Sequence, residues 1–388
     1  MTPHERAGRR VRWRSGAAGL AAVLAACSER PRTATIGYAS NTGSPSAATV
    51  AQAVLEETHR ADGMRVVVSR GDSVPRQRAG GALLREVELA IRFAADSHVV
   101  AVVGPGGSRE ALQTAPVYRD AGVPNVVPTA TSRRLHALGS FWTFLLAPND
   151  SVQGEFIGDF AADELGARSA TVFYLPDEYG LGLASGTAAA LARRGIKLLA
   201  KSAVRPGQAC PPRDAQNAYD GVVRDAWRRG TPDVVVLAAR TPETACVARA
   251  VSGRAAHTRF IAGDGALVTP AFLQMAGPVS DSIYFVAFWT SARVDSASRA
   301  FAERFRTIVG REPRHDDAMF YDAVMVVNAA INAVGPDRTA VRDYLAELGR
   351  SRPAYRGVTG SIAFTARAHR PLLMTRLHNG RAELVPSQ

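Results

Sequence analysis

The sequence predicts an α/β protein built from two Rossmann-like, doubly wound lobes. A chain of 388 residues with 46% hydrophobic composition is long enough to bury two domain-sized cores. Apolar runs such as MRVVV, VVAVVG, ATVFYL and DVVVLAA show no period-2 alternation, which is typical of parallel strands covered by helices on both faces. Strand and helix patterns also alternate along the chain in two successive series, which favours two lobes of similar architecture.

The first series begins near residue 34 and contains three strands separated by helices. The strand patterns are TATIGYA, MRVVVSR and VVAVVGP, and the helical patterns between them are SAATVAQAVLEETHRA and QRAGGALLREVELAIRFAADS. The second series starts at ARSATVFYLPDEYGLGLASGTAAALARRGIKLLAKSAV, which contains its own strand, helix and following strand. Each series therefore predicts a parallel sheet with helical connections.

Two segments have the character of connections between the lobes. FWTFLLAPNDSVQG (141–154) is a strand pattern followed by turn residues, and SDSIYFVAFWTSARVDS (280–296) has the same appearance. The helical patterns ASRAFAERFRTIVGR and DDAMFYDAVMVVNAAINAVG follow the second segment and are expected to return to the first lobe. The predicted division is lobe 1 at 34–145 and 289–345, and lobe 2 at 146–288 and 346–388.

The first 26 residues have the pattern of an export signal. RAGRRVRWR forms a positive region, and SGAAGLAAVLAA is apolar but too short to span a bilayer. The sequence LAAC, ending at Cys27, resembles a bacterial lipobox, with Cys27 as the lipidated first residue and 27–33 as a tether. An ordinary secretory signal with a chance cysteine is the alternative. We therefore expect a lipid-anchored, periplasm-facing envelope protein.

Composition and motifs argue against several classes of function. The formal charge is +12, but the arginines are scattered, and the only two lysines are Lys197 and Lys201, so no basic stripe predicts nucleic-acid binding. GxSxG, HExxH and GxxxxGK[ST] motifs are missing from the sequence, which argues against an enzyme. Cys210 and Cys246 remain after Cys27, and a disulfide is favoured over two isolated thiols in an oxidising compartment. Neither cysteine has a CxxC partner, so no metal site is expected.

Five motifs, read in order, resemble the type I periplasmic binding proteins of the leucine/isoleucine/valine-binding family. They are VVAVVGPGGSREALQTAPVYRDAGVPNVVPTATS, APNDSVQG, YLPDEYGLGLA, GDGALVTPAF and AMFYDAVMVVNAAINA. The resemblance implies two lobes joined by three crossovers, closing around a small ligand in the cleft between them. It also implies binding without catalysis, no cofactor, and an ABC permease as partner.

The resemblance assigns ligand-binding roles on both sides of the cleft. Ser108 in GPGGSRE matches the family's carboxylate-binding serine, and it is also expected to cap the following helix. The loop PTATS is expected to present hydroxyl groups and main-chain donors at a helix start. Asp264 matches the acid that pairs with the ligand's ammonium group. The implied ligand-binding residues are Ser108, Thr129, Ala130, Thr131, Tyr179 and Asp264.

Each of these assignments has a simpler alternative. Ser108 can act as a helix cap only, Asp264 as a turn residue between glycines, and Tyr179 as a packing residue. Two positions also depart from the family pattern, because Arg240 replaces a common aromatic residue and Asp316 replaces an apolar pocket residue. These departures predict a polar or acidic ligand side chain reaching Arg240, unless Arg240 simply points to solvent.

The expected function is therefore capture of an amino acid or similar small zwitterion for an ABC transporter. The alternative is an envelope lipoprotein of the same fold that acts as a sensor or activates envelope enzymes by contact. Ser28, directly after Cys27, is compatible with sorting to the outer membrane and keeps this alternative open.

Overall fold

The computed structural model describes residues 33–39, 44–58, 64–70, 81–138, 141–207, 210, 218–255, 258–365 and 371–386. The predicted signal, Cys27 and almost all of the tether lie outside these ranges. Part of the loop 40–48 lies outside them as well.

The described strands of the first lobe form a five-stranded parallel sheet in the order β2-β1-β3-β4-β5. The elements are β1 (Thr33–Tyr38), α1 (Pro45–Glu57), β2 (Arg65–Arg70), α2 (Gly81–Ala95), β3 (Val99–Val103), α3 (Ser108–Asp120), β4 (Asn125–Val127), α4 (Arg133–Ala137) and β5 (Thr143–Leu145). Strand β3 is buried along its whole length, as its uninterrupted VVAVV run predicts.

The second lobe repeats this architecture around a larger sheet. Its first elements are α5 (Asp150–Asp163), β6 (Ser169–Tyr174), α6 (Glu178–Arg193), β7 (Lys197–Ala203), α7 (Asp220–Ala226), β8 (Val234–Ala238), α8 (Thr241–Ser252), β9 (Arg259–Ala262), α9 (Pro270–Ala276) and β10 (Ile283–Ala287). Short 3-10 turns occupy Trp227–Arg229 and Gly277–Ser282. The strands from β6 to β10 pair in parallel, so their carboxyl ends share one edge.

The chain then returns to the first lobe, as predicted, and finally crosses back to the second. The returning elements are α10 (Ser296–Val309), α11 (His315–Val334), α12 (Arg338–Glu347), β11 (Tyr355–Gly357) and β12 (Gly360–Ile362). The last elements, β13 (Leu373–His378) and β14 (Arg381–Leu384), extend the second sheet antiparallel, giving the described order β14-β13-β10-β9-β8-β6-β7.

The predicted lobe boundary at 345/346 differs from the structure. The β11–β12 hairpin packs on α11 of the first lobe, because the buried Asp322 carboxylate accepts hydrogen bonds from the amides of Val358 (2.9 Å) and Thr359 (2.8 Å). Ile362 is part of the first-lobe core, and the ring of Phe364 lies 5.0 Å from that of Phe144. The return to the second lobe therefore comes after residue 364, between β12 and β13.

Helix α11 is the central core helix of the first lobe. It packs against α1 and α12, and its Phe320 ring lies 5.4 Å from the ring of Tyr38 on β1. Among the described residues, α11 is the one helix long and apolar enough to cross a membrane, but most of it is buried in the protein. Its apolar length is therefore explained by a core position.

Both sheets direct the carboxyl ends of their parallel strands toward the space between the lobes. The loops after β3 and β4 enter it from the first lobe, and the loops after β6, β8 and β9 enter it from the second. In open α/β sheets this edge is where ligands bind. Helix α5, which follows the first crossover, begins at the same place.

Candidate ligand-binding cleft

The wall formed by the first lobe consists of two loops tied together by hydroxyl groups. Ser108 is the first residue of α3, and its Oγ accepts a hydrogen bond from the Thr131 amide at 3.2 Å. Thr129 Oγ1 donates to the carbonyl of Gly106 at 3.0 Å. The expectation that Ser108 caps α3 is wrong, because Gly107 is the N-cap residue and provides no side-chain cap. Ser108 instead connects the β3 loop to the β4 loop.

Thr131 lies at the centre of this wall. Its side chain is buried, and its carbonyl accepts the Asp150 amide at 2.8 Å, which joins the β4 loop to the start of α5. Its hydroxyl has no hydrogen-bond partner within the described chain. Ala130, beside it, is buried and lies in a small apolar cluster with Val127 and Leu135. Packing of Ala130 therefore fixes the loop, while the Thr131 hydroxyl remains available.

The opposite wall carries Asp264 and Tyr179. The amide of Gly265 donates to the Tyr179 hydroxyl at 2.9 Å, and a Cβ atom on Gly265 would lie 2.8 Å from the tyrosine ring. The glycine after Asp264 is thus required for close packing of the loop on Tyr179. Asp264 is buried, and its Oδ1 has no partner among the described groups. Burial raises the pKa of Asp264, and the nearby His315 opposes that shift.

Two further residues of the cleft, Asp150 and Gln153, were missed by the sequence analysis. Both are fully buried on the first turn of α5, whose N-cap is Asn149. Both carboxyl oxygens of Asp150 and both amide atoms of Gln153 have no hydrogen-bond partner in the described structure. Burial raises the pKa of Asp150 to about 8, and the neighbouring Thr131 hydroxyl lowers it only in part. The carboxylates of Asp264 and Glu178 raise it further.

The position of Asp150 is fixed by close packing of α5 on α6. A Cβ atom on Gly182 of α6 would collide with the Asp150 carboxyl group, and one on Gly154 of α5 would collide with the Gly186 backbone. The glycines of YGLGLASG therefore make room for α5 and for this acid. The available sequence signal was the spacing of Asp150 and Gln153, since residues three apart share one helix face.

The two predicted departures, Arg240 and Asp316, both have charge partners. Arg240 is the N-cap residue of α8, forms an ion pair with Asp177, and lies with its guanidinium 5.7 Å from the centre of the Tyr179 ring. Asp316 accepts two hydrogen bonds from the guanidinium of Arg314, each at 3.1 Å. The charge of each side chain is therefore already compensated within the protein.

His315, next to Asp316, was not predicted as a site residue. It begins α11, and its ring lies 5.4 Å from the ring of Phe288. Its Nδ1 is buried and has no partner among the residues described, and it is close enough to Asp264 to lower that residue's pKa. The first lobe therefore brings an imidazole toward the acid of the second lobe.

A polar contact joins the two lobes at the mouth of the cleft. Ser132, the N-cap residue of α4, donates from Oγ to Glu178 Oε1 at 2.6 Å. Arg134 Nη1 donates to Glu178 Oε2 at 3.1 Å. Glu178 is on the first turn of α6, directly before Tyr179. The described conformation therefore has the two lobes in contact beside the cleft.

Comparison with known proteins identifies the family. The sequence profile of the family described as "Periplasmic binding protein" matches residues 33–380, which is most of the chain. The chain belongs to the periplasmic binding protein family. The match covers both lobes and all three crossovers between them, so the predicted family is confirmed.

Curated relatives of this periplasmic binding protein carry related names. It is 25% identical over 254 residues to an "Amino acid binding protein" of Pseudomonas aeruginosa, covering 66% of this chain and 65% of that protein, just under two thirds of its length. It is 24% identical over 317 residues to "Leu/Ile/Val-binding protein homolog 1" of Brucella suis, covering 81% of this chain and 80% of that one.

Solved structures confirm the predicted fold class. The isoleucine complex of the branched-chain amino acid transporter substrate binding protein LivJ from Streptococcus pneumoniae superposes with a TM-score of 0.75 at 22% identity, covering 91% of this chain and 99% of that one. The leucine binding protein LivK from Thermotoga maritima gives 0.75 at 21% identity, with 92% and 98% covered. This periplasmic binding protein therefore has the type I, two-lobed fold.

The cysteines of this periplasmic binding protein lie away from the cleft. The structure joins Cys210 and Cys246 in a disulfide with Cα atoms 5.4 Å apart, and Cys246 is buried in the second-lobe core. The bridge fastens α8 to the segment after β7. Within the described residues no group of histidine, cysteine and acidic side chains has the geometry to hold a metal ion.

Proposed function

We propose that this protein binds an amino acid or a similar small zwitterion in the cleft between its lobes. The proposal is carried by a set of buried polar atoms from both lobes that have no partners within the described structure. They belong to Thr131, Asp150, Gln153, Asp264 and His315. Buried polar groups in folded proteins nearly always have hydrogen-bond partners, so a convergent set without them predicts a ligand that supplies them.

The two walls suit the two ends of a zwitterion. On the first lobe, the Ser108 hydroxyl and the N-terminus of α3 offer donors and a positive dipole end to a ligand carboxylate. On the second, the Asp264 carboxylate is placed for an ammonium group, which the Thr129 carbonyl and Thr131 hydroxyl can also contact. Tyr179 provides the buried aromatic surface beside them.

The proposal does not include selection of an acidic side chain by Arg240. That hypothesis required a guanidinium without a partner facing the ligand, and Asp177 already supplies the partner. Calorimetry with leucine and glutamate on wild type and Arg240→Ala decides the matter. We expect the Arg240→Ala change to leave the preference between the two unaltered, and loss of glutamate binding alone would restore the acidic-ligand hypothesis.

We further propose that the protein delivers its ligand to an ABC permease and performs no catalysis. The support is the family and the similarity to relatives that are named as transporter substrate-binding proteins. Its proposed location is the periplasmic side of a membrane, anchored by lipid on Cys27. Metabolic labelling with palmitate, compared between wild type and Cys27→Ala, tests the anchor. Label on both variants or on neither would contradict it.

A thermal-shift screen against the twenty L-amino acids tests the binding proposal. A ligand that binds only the folded state stabilises it by about 4 kcal/mol at a thousand times its Kd, so binding raises the melting temperature. We expect at least one amino acid to do so in wild type and in Asp281→Ala, an exposed control on the second lobe. The same amino acid should fail with Asp264→Ala. No shift with any amino acid would reject amino-acid binding and favour the protein-contact role.

A further inference from the structure

The cleft contains two buried carboxyl groups, whereas one carboxylate is enough to balance the charge of a single ammonium group. Asp150 and Asp264 are both buried, and at least three of their four carboxyl oxygens have no partner in the described structure. The two groups are close enough for the charge of Asp264 to raise the pKa of Asp150. Gln153, one turn from Asp150, adds a fully buried side-chain amide that lies beside Asp264 and opposes the rise in the pKa of that residue.

We propose that Asp150 and Asp264 together hold the ligand's cationic group, and that docking this group expels one proton from the pair into solvent. This inference rests on the proposed function, because it concerns the ammonium end of the same ligand. It adds a second acid to the recognition of the ammonium group and makes ligand capture a proton-releasing step. The ligand class is thereby narrowed to molecules that carry a protonated amine.

Burial and mutual repulsion explain why the Asp150–Asp264 pair retains a proton before a ligand binds. Two desolvated carboxylates at short range disfavour double ionisation, as in other carboxylate pairs. Asp150 is faced by Asp264, by Glu178 and Tyr179 of α6 and by Arg133 of α4, whereas Asp264 is faced by Tyr179 and by His315 of α11. Arg133 is the cation that acts on Asp150, and its effect is the smallest of those contributions. The pKa of Asp150, about 8, means that this carboxyl is mainly protonated at neutral pH.

An ammonium group changes this balance. It brings one positive charge and up to three N–H donors, which allows both carboxylates to be ionised at once. The ammonium keeps its own protons, and the proton that leaves comes from the carboxyl group of Asp150. Affinity should therefore rise with pH over the range in which Asp150 is protonated in the absence of ligand. We expect the rise to be roughly tenfold or more between pH 6 and pH 8.

Calorimetry in buffers of different ionisation enthalpy measures this proton directly. The probe is whichever L-amino acid gives the largest thermal shift among the twenty. For wild type at pH 7 we expect release of close to one proton per amino acid bound. Asp150→Asn should still bind, more weakly, with release near zero and affinity nearly constant from pH 6 to 8. No proton release in wild type, or unchanged release in Asp150→Asn, would overturn the proposal.

Two controls separate this proposal from its alternatives. His315→Asn removes the imidazole that faces Asp264, and the proton release should persist in that variant. Loss of the release in His315→Asn would assign the proton to the imidazole and refute our assignment. The des-amino analogue of the probe should bind poorly and release no proton, and equal binding would show that no cationic group is held. If no amino acid binds wild type at all, the proposed function itself fails.

Discussion

Buried carboxylates occur in two regions of this protein and have opposite surroundings. On helix α11 of the first lobe, Asp317 receives two hydrogen bonds from the Arg311 guanidinium (2.7 and 2.9 Å) and one from the Arg314 amide at 2.8 Å. Asp322, further along α11, is held by backbone amides of the β11–β12 hairpin. In the cleft, the carboxyl oxygens of Asp150 have no hydrogen-bond partner in the described chain, and Asp264 lacks one at Oδ1.

The difference shows that burial alone does not indicate a binding site. These two carboxylates of α11 are as buried as those in the cleft, but their partners are already present and their role is to join segments of the fold. The cleft acids raise the free energy of the folded protein, because a desolvated group without partners is unfavourable. Such groups are consistent with a site where a ligand provides the missing partners.

Removing a cleft acid should affect binding most strongly. Asp264→Ala would leave the bound ammonium group desolvated with one carboxylate fewer, so we expect a loss of about 3–5 kcal/mol in binding free energy. Calorimetry with the amino acid found in the screen measures it, with Asp281→Ala as the exposed control. Wild-type affinity in Asp264→Ala would rule out the proposed clamp.

Removing a structural acid should instead affect folding. Asp322→Ala leaves the buried amides of Val358 and Thr359 without acceptors, and we expect the free energy of unfolding to fall by about 3 kcal/mol. Urea denaturation measures this loss, and the affinity of the variant that remains folded should equal that of wild type. A stable variant with weakened binding would remove the contrast between the two regions.

Ser108→Ala tests the wall of the first lobe and should have a smaller effect. It removes one hydrogen bond to a ligand carboxylate and the acceptor for the Thr131 amide, so binding should weaken by about 1–2 kcal/mol. Calorimetry in parallel with Thr49→Ala, an exposed hydroxyl on α1, controls for loss of a hydroxyl group. An unchanged affinity would assign Ser108 to loop packing alone.

The contact between lobes at Glu178 should have the smallest effect. Glu178→Gln weakens the pairing with Arg134, whose side chain is 74% exposed, and exposed ion pairs contribute at most about 1 kcal/mol. We expect an affinity loss below that value, seen mainly as faster ligand dissociation in stopped-flow measurements and reduced further by salt. A loss as large as that of Asp264→Ala would place Glu178 in direct contact with the ligand.

The sequence was sufficient for the fold because local patterns determine it. Uninterrupted apolar runs predicted the parallel strands, and the resemblance pointed to Ser108, Thr131 and Asp264, which follow the carboxyl ends of β3, β4 and β9. The lobe boundary after residue 345 was misplaced because the β11–β12 hairpin is held by Asp322. Its two hydrogen bonds to the hairpin amides span 36 and 37 positions of the sequence, so local patterns do not show them.

The missed parts of the site depend on tertiary contacts. Asp150 follows an N-cap residue in a turn-rich segment, and only its burial against Gly182 of α6 distinguishes it from an ordinary first-turn acid. The pairing of Arg240 with Asp177, 63 residues away, could likewise not be inferred from local sequence. Burial and pairing of charged groups are therefore properties that the sequence pattern does not carry.

The central claim is that the cleft acids serve ligand binding and not folding. The stability of the double variant Asp150→Asn/Asp264→Asn tests this claim most directly. Without amino acid, urea denaturation should show it at least as stable as wild type at pH 8, and calorimetry should detect no binding. The acids take up protons on folding, since the pKa of Asp150 rises to about 8, so wild-type stability should fall relative to the variant as pH rises from about 4 to about 8. A double variant that is strongly destabilised and still binds would contradict the account.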